Sequence, residues 1–149
     1  MNDPSIIKER QYNPSTYQMR TFCEARKAFL AGDDTPTDYL ERCLNTITQK
    51  EPVVKAWVIL NEDNARRAAE ESTQRYRRGK PLSPIDGMPI GIKDVLQTRD
   101  MPTELGSPIF KGRETHMDSA SVNALRLAGA PIVGKTVTTE FAFVVPGPT

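Results

Sequence analysis

Long apolar runs are missing from this chain, and so is a surplus of charge of either sign. No stretch approaches the roughly 20 apolar residues that span a bilayer, which excludes a transmembrane helix as the sequence stands. Twenty basic residues face 19 acidic ones, for a net charge of +1, so there is no basic field to attract nucleic acid or an anionic membrane. Cysteine is scarce: Cys23 and Cys43 fall in separate helical patterns, without C-x-x-C spacing and without a histidine cluster. A disulfide framework and a zinc centre are thereby excluded, and two reduced thiols are expected. The start, Met1-Asn2-Asp3-Pro4, has charge and proline where a signal peptide needs an apolar core. A cytoplasmic protein without cofactor or metal is the expectation.

What is present reads as α/β. Residues 1–14 are polar and broken by proline, and are expected to form a flexible arm. Residues 15–149 are expected to belong to a single domain. A helix is predicted from Ser15, with Met19, Phe22, Cys23, Phe29 and Leu30 inward and Gly32 as its stop. The next is predicted to be capped by Thr35, with Pro36 in its first turn and Asp38 completing a capping-box pattern. Leu40, Cys43, Leu44 and Ile47 then recur at helical spacing until Glu51-Pro52. Val53 to Leu60 is rich in β-branched residues and predicts a strand. Asn61 is expected to cap a third helix with Ala65, Ala68, Ala69, Ser72 and Tyr76 inward, and Arg75, Arg77, Arg78 and Lys80 at a solvated end. Residues 81–115 are rich in proline and glycine yet keep apolar residues, as a packed loop region with short strands does. Asp118 is expected to cap a last helix carrying Val122, Leu125 and Ala128, stopped by Gly129. Pro131-Ile132-Val133 reads as a short buried strand.

One lysine stands out. Asp86-Gly87-Met88-Pro89-Ile90-Gly91-Ile92-Lys93-Asp94 puts Lys93 at the end of an apolar run punctuated by glycine. Free lysine titrates near ~10.4, and burial lowers that value toward the range of a working base. Asp94 opposes this if it faces Lys93, but neighbours in a strand point to opposite sides. On spacing alone, a strand-end lysine paired with Asp94 is the plainer reading.

The same stretch, extended back to Pro81, resembles the lysine-bearing segment of the amidase signature family. Further matches follow in order: Met101 to Ser107 resembles the loop after the lysine. Asp118 to Ala130 resembles the next helix with its Leu-Arg-x-Ala-Gly-Ala ending. Ile132 to Thr136 and Thr139-Glu140-Phe141-Ala142 resemble the strand and turn that lead to the family's signature. Residues 17–80 fit its N-terminal helices more loosely. Asp86 departs from the family, which often carries histidine or a larger group there. The resemblance implies the N-terminal part of the amidase-signature fold, a mixed sheet covered by helices. It also implies hydrolysis of a carboxamide C–N bond by a Ser–cis-Ser–Lys triad, with Lys93 as the lysine. The Gly/Ser-rich segment carrying both serines would begin just after Pro146-Gly147-Pro148-Thr149, so residues 1–149 alone are expected to be inactive.

No residue in the chain substitutes for those serines. Ser119 and Ser121 fall in a predicted first helical turn, Ser107 in a Gly-Ser-Pro turn, and the single histidine, His116, in a charged loop. Gly129 to Thr136 matches the phosphate-loop string G-x-x-x-x-G-K-[ST], but a helix precedes the first glycine, and Pro131 removes a donor the loop would use. A structural turn is the expectation. Three functions stay open: an amidase acting on a small-molecule amide; a glutamyl-tRNA(Gln) amidotransferase A-type subunit working with partner subunits; and a truncated, non-catalytic partner-binding protein. Direct nucleic-acid and membrane binding are not expected. A homodimer or amidotransferase partners are the associations the resemblance allows.

Overall fold

The computed structural model describes residues 21–143. The expected arm, Met19 and the start of the first predicted helix lie outside the described residues. Helix α1 (Phe22–Ala31) ends on Gly32 at φ +81°, a left-handed position that glycine takes without strain. Only Phe29 of its expected inner face is buried; Cys23 and Leu30 are exposed. Phe29 meets Tyr39 and Tyr76 edge-on, with ring centroids 5.8 and 5.4 Å away, and Phe22 also meets Tyr39, at 6.0 Å, so two aromatics rather than a full stripe fix α1.

Helix α2 (Pro36–Val54) begins as its sequence dictates. Thr35 Oγ1 accepts from the Asp38 N–H at 3.1 Å. The reciprocal half of the capping box is absent, because the Thr35 N–H donates to Asp34 instead, at 2.9 Å. The helix does not stop at Pro52. It continues through Val53 and Val54, both exposed, and closes at Lys55 with φ +50°. The Glu51 carboxylate then ties the helix end to the next strand, accepting from the Ala56 and Trp57 N–H groups at 3.2 and 2.9 Å. The expected strand from Val53 is therefore shortened to β1 (Trp57–Leu60).

Helix α3 (Glu62–Arg77) buries Ala65, Ala69, Ser72 and Thr73. Asn61 does not cap it; its side-chain amide donates to Asp100 across the fold, at 3.1 Å. Strand β2 (Ile90–Lys93), helix α4 (Ala120–Leu127) and strand β3 (Ile132–Thr136) complete the regular elements, with short 3₁₀ turns at Pro108–Phe110 and Glu140–Ala142. Asp118 is not the cap of α4, which starts from Ser119. Its carboxylate accepts from the Arg99 N–H at 2.9 Å and lies 3.1 Å from Arg126 Nε, since two arginines outcompete one helix end for a carboxylate.

The sheet runs β1-β3-β2, with β1 antiparallel and β2 parallel to the central β3. It is the mixed sheet the resemblance implies. Adjacent residues of β3 face opposite layers. Val133 packs with Leu40, Leu44, Ala65 and Ala69 beneath α2 and α3, while Ile132 packs with Ile92, Met101 and Val122 beside α4. Burying apolar surface on both faces, at about 25 cal/mol per Å², is what holds these short strands between their helices.

Candidate functional site

Strands β2 and β3 run parallel and end together, so the side chains at their C-terminal ends share one rim of the sheet. Lys93 pairs in register with Thr136 of β3, and Thr136 pairs with Trp57 of β1. These three lie in one row across the sheet, on one face. A methyl group placed on Gly91, two residues before Lys93, would meet the Trp57 ring at 2.8 Å and Thr136 Cγ2 at 2.9 Å. Glycine at that point is what lets Trp57 close over β2.

Lys93 itself is exposed. Burial, expected from the apolar run before it, is not found. Ile92 turns inward and Lys93 outward, as strand alternation requires. Among the described residues no ion pair or hydrogen bond engages its ammonium. The expected pairing partner, Asp94, is turned the other way and is 1% exposed.

The buried lysine is Lys135. It is fully enclosed, with Nζ 2.8 Å from Asp94 Oδ1, donating to the Thr103 hydroxyl at 2.8 Å and to the Pro102 carbonyl at 3.0 Å. Its three N–H donors are thus all used. Asp94 is held just as fully. Its carboxylate accepts from the Glu104 N–H at 3.2 Å, its backbone N–H donates to the Thr136 carbonyl at 3.0 Å, and its own carbonyl accepts from the Leu105 N–H at 3.0 Å. The sequence carried a signal for this: a lysine inside a buried strand needs a carboxylate. The same lysine ends the phosphate-loop string. That string is here a turn after α4 running into β3, with its lysine amine facing the protein interior, so no phosphate cradle forms.

Two loops frame the rim. Ser107 is buried and its hydroxyl donates to Glu140 at 2.7 Å; the Phe141 N–H donates to the Leu105 carbonyl at 2.8 Å. Leu105, Phe141 and Ala142 have φ of +57°, +51° and +58°, strained values for residues with a side chain. Such backbone persists where surrounding bonds over-determine it, and these two loops bond to each other. The Ser119 and Ser121 hydroxyls sit 3.3 Å apart, and His116 is exposed beside Glu114, 3.4 Å away. None of these serines or the histidine bonds to Lys93.

Behind the lysine segment, Asp86 is fully buried and is gripped by Arg75, with Nε and Nη2 2.9 and 2.7 Å from its two oxygens. Arg75 is therefore not part of a solvated helix end, unlike exposed Arg77 and Arg78. Burial pushes the Asp86 carboxyl up, but the Arg75 guanidinium and the Leu82 N–H outweigh it and leave it below the usual carboxylate range.

A groove of about 690 Å³ opens between α1, α2 and the sheet, floored by Ile47, Trp57, Gly91 and Val133. A smaller cleft of about 290 Å³ lies by Asp94, Glu104, Gly106 and Thr138. Among the described residues no cluster of acids, histidines or cysteines could hold a metal ion, and no helix is long and apolar enough to cross a membrane.

Comparison with known proteins adds a lineage to this geometry. The family model described as Amidase matches residues 38–148. The A-type subunit of glutamyl-tRNA(Gln) amidotransferase from Chloroflexus aggregans is 39% identical over 122 residues, covering 82% of this chain and 25% of that protein. Its mitochondrial counterpart from Canis lupus familiaris is 36% identical over 123 residues, covering 83% of this chain and 23% of its own length. The chain thus spans about a quarter of the curated relatives it matches. Among solved structures, native peptide amidase from Stenotrophomonas maltophilia superposes with a TM-score of 0.77 at 27% identity, over 86% of this chain and 26% of that one. A crystal structure described as an amidase gives a TM-score of 0.75 at 30% identity, covering 83% of this chain and 28% of the other.

Proposed function

The chain belongs to the amidase family, and from that premise we propose that it contributes the lysine of a hydrolase that cleaves carboxamide C–N bonds through a Ser–cis-Ser–Lys triad, with Lys93 in that role. The observation that carries this reading is the state of Lys93. It stands exposed at the rim where two parallel strands end, without a partner among the described residues, while Asp94 is committed to the opposite face. A base must be free to take a proton, and an acid on the same face would hold it as an ion pair.

The chemistry follows from that placement. A serine hydroxyl attacks the amide carbonyl and passes its proton through a bridging serine to the Lys93 amine. The tetrahedral adduct collapses, the C–N bond breaks, and the leaving nitrogen recovers the proton as it departs as ammonia or an amine. Water then attacks the acyl ester by the same relay in reverse, releasing the acid. Both serines belong to the family's Gly/Ser-rich segment, so residues 1–149 alone are proposed to be inactive. The test is release of ammonia from a panel of simple primary carboxamides by the natural-length protein, with Lys93→Ala beside it. Turnover lost in the variant supports the reading; turnover retained removes Lys93 from the mechanism.

A second reading is favoured by the 39% identity to the A-type subunit of a glutamyl-tRNA(Gln) amidotransferase. Here the amide would be glutamine, its ammonia would be passed to a charged tRNA, and partner subunits would complete the assembly. Preference for glutamine over peptide and aryl amides separates this from a free-standing amidase. The two free cysteines, Cys23 and Cys43, suit a reducing compartment such as the cytoplasm.

A further inference from the structure

Amide cleavage by the triad makes no use of the most thoroughly buried ion pair in the described structure, Asp94 with Lys135. An enclosed pair of charges is weak evidence for stability, because desolvation offsets much of its attraction. Its geometry here is specific. Asp94 directly follows Lys93 and is anchored at its carboxylate, its N–H and its carbonyl. Lys135 is anchored in turn by Thr103 and Pro102. Consecutive strand residues face opposite sides, so the direction in which Asp94 is locked sets the direction in which Lys93 leaves the sheet.

We propose that the buried Asp94–Lys135 pair, steadied by Thr103, is a positioning device for Lys93: it pins the end of β2 to β3 and to the 102–105 loop so that the Lys93 amine projects from the opposite face in one orientation. The inference rests on the proposed role of Lys93 for its catalytic consequence, though not for its geometry. Asp94 and Lys135 never touch the reacting atoms. They act through the backbone they hold, and they also keep the carboxylate nearest Lys93 in sequence away from it.

The experiment uses the natural-length protein and the double variant Asp94→Asn/Lys135→Met. That pair removes both buried charges together, and the introduced amide oxygen can still accept from the Glu104 N–H, so neither charge is left stranded. A merely structural pair predicts near-normal turnover. Positioning predicts a kcat on a primary carboxamide lowered by about 10²-fold with KM changed by less than about threefold, the signature of a displaced reacting group. A kcat within about threefold of the parent overturns the proposal. Should the double variant not fold, Thr103→Val, which removes only the hydroxyl holding Lys135, decides instead: a fall in kcat supports the proposal and an unchanged kcat overturns it. If the parent protein cleaves no amide, the reaction class fails and the positioning claim is judged on crystal structures of parent and variant. A Lys93 Nζ displaced by more than about 1 Å, a shift of the size that matters in catalysis, supports it. An unmoved Nζ overturns it.

Discussion

Arg75 on α3 and Asp86 in the loop before β2 form a two-pronged contact in which the Asp86 side chain is fully enclosed and the Arg75 side chain is 22% exposed. The Leu82 N–H adds a third donor at 2.8 Å, and the Asp86 carbonyl accepts from the Tyr76 hydroxyl at 3.1 Å. Gly129 must be glycine for this to fit: at φ +90°, a methyl group there would lie 2.3 Å from Asp86 Oδ1. α3, the 81–89 loop that follows it and the corner after α4 thus meet on one carboxylate.

Arg75→Met leaves that carboxylate buried without its countercharge. Loss of about 3–5 kcal/mol of stability is expected, as for other broken buried pairs, read from denaturant midpoints. The pH dependence has a definite sign. The Asp86 carboxyl lies below its ordinary value of 3.8 when folded, so its stabilisation is present above about pH 4 and is lost as pH falls through the folded value. In Arg75→Met that acid-side loss should vanish, because the buried carboxyl then prefers to be protonated. An unchanged acid limb in the variant would show that Asp86 does not depend on Arg75.

Lys93→Ala should separate activity from folding. Lys93 is exposed and contacts no partner among the described residues, so the stability change should stay within about 0.5 kcal/mol. Turnover of a carboxamide by the natural-length protein should fall by about 10³-fold, within the range for a lost acid–base group. A melting shift as large as that of a core substitution would contradict the exposed position.

Gly134→Ala tests the junction of β1 with β3. A methyl group at Gly134 would lie 2.3 Å from the Ile59 carbonyl oxygen and 3.0 Å from Leu60 Cα. Both are backbone atoms and cannot rotate aside, so β1 must shift. A loss of about 3 kcal/mol is expected, at the upper end of overpacking effects. A variant melting with the parent would mean that β1 is not held at this register.

The phosphate-loop string offers a prediction of no effect. Lys135 is enclosed and bonded to Asp94, and Gly134 is a strand residue against β1. Millimolar MgATP should leave the melting temperature unchanged. A saturable rise would require Lys135 to leave its partner, and would overturn the assignment of that pair.

Much of the architecture could be read from local chemistry, and the exceptions share a cause. Thr35, Pro36, Leu40 and Leu44 announced α2 because capping and periodicity act within one turn. Val53 and Val54 did not announce that they extend it, since Glu51 reaching the Ala56 and Trp57 N–H groups is a contact seen only after folding. Asn61 and Asp118 look like caps, yet bind Asp100 and the pair Arg99 and Arg126, partners distant in sequence. Lys93 stands out through its motif, but its neighbours mislead about its environment. Apolar neighbours in a strand bury alternate positions, and Lys93 occupies the outward one. The lysine that is buried, Lys135, was masked by a string that suggested phosphate.

The order of strands in the sheet has a consequence for how the chain is made. Among the described residues β1 and β2 share no backbone pairing; each pairs with β3, which is the last of the three in sequence and the middle one in space. A ribosome therefore releases β1, and much later β2, with no partner for either until Ile132–Thr136 emerges. Until then the apolar faces of α2, α3 and α4 have no sheet to cover. Assembly of this layer waits on five residues near its end, and a nascent chain arrested ahead of them would present two bare strand edges to any chaperone or aggregating neighbour within reach.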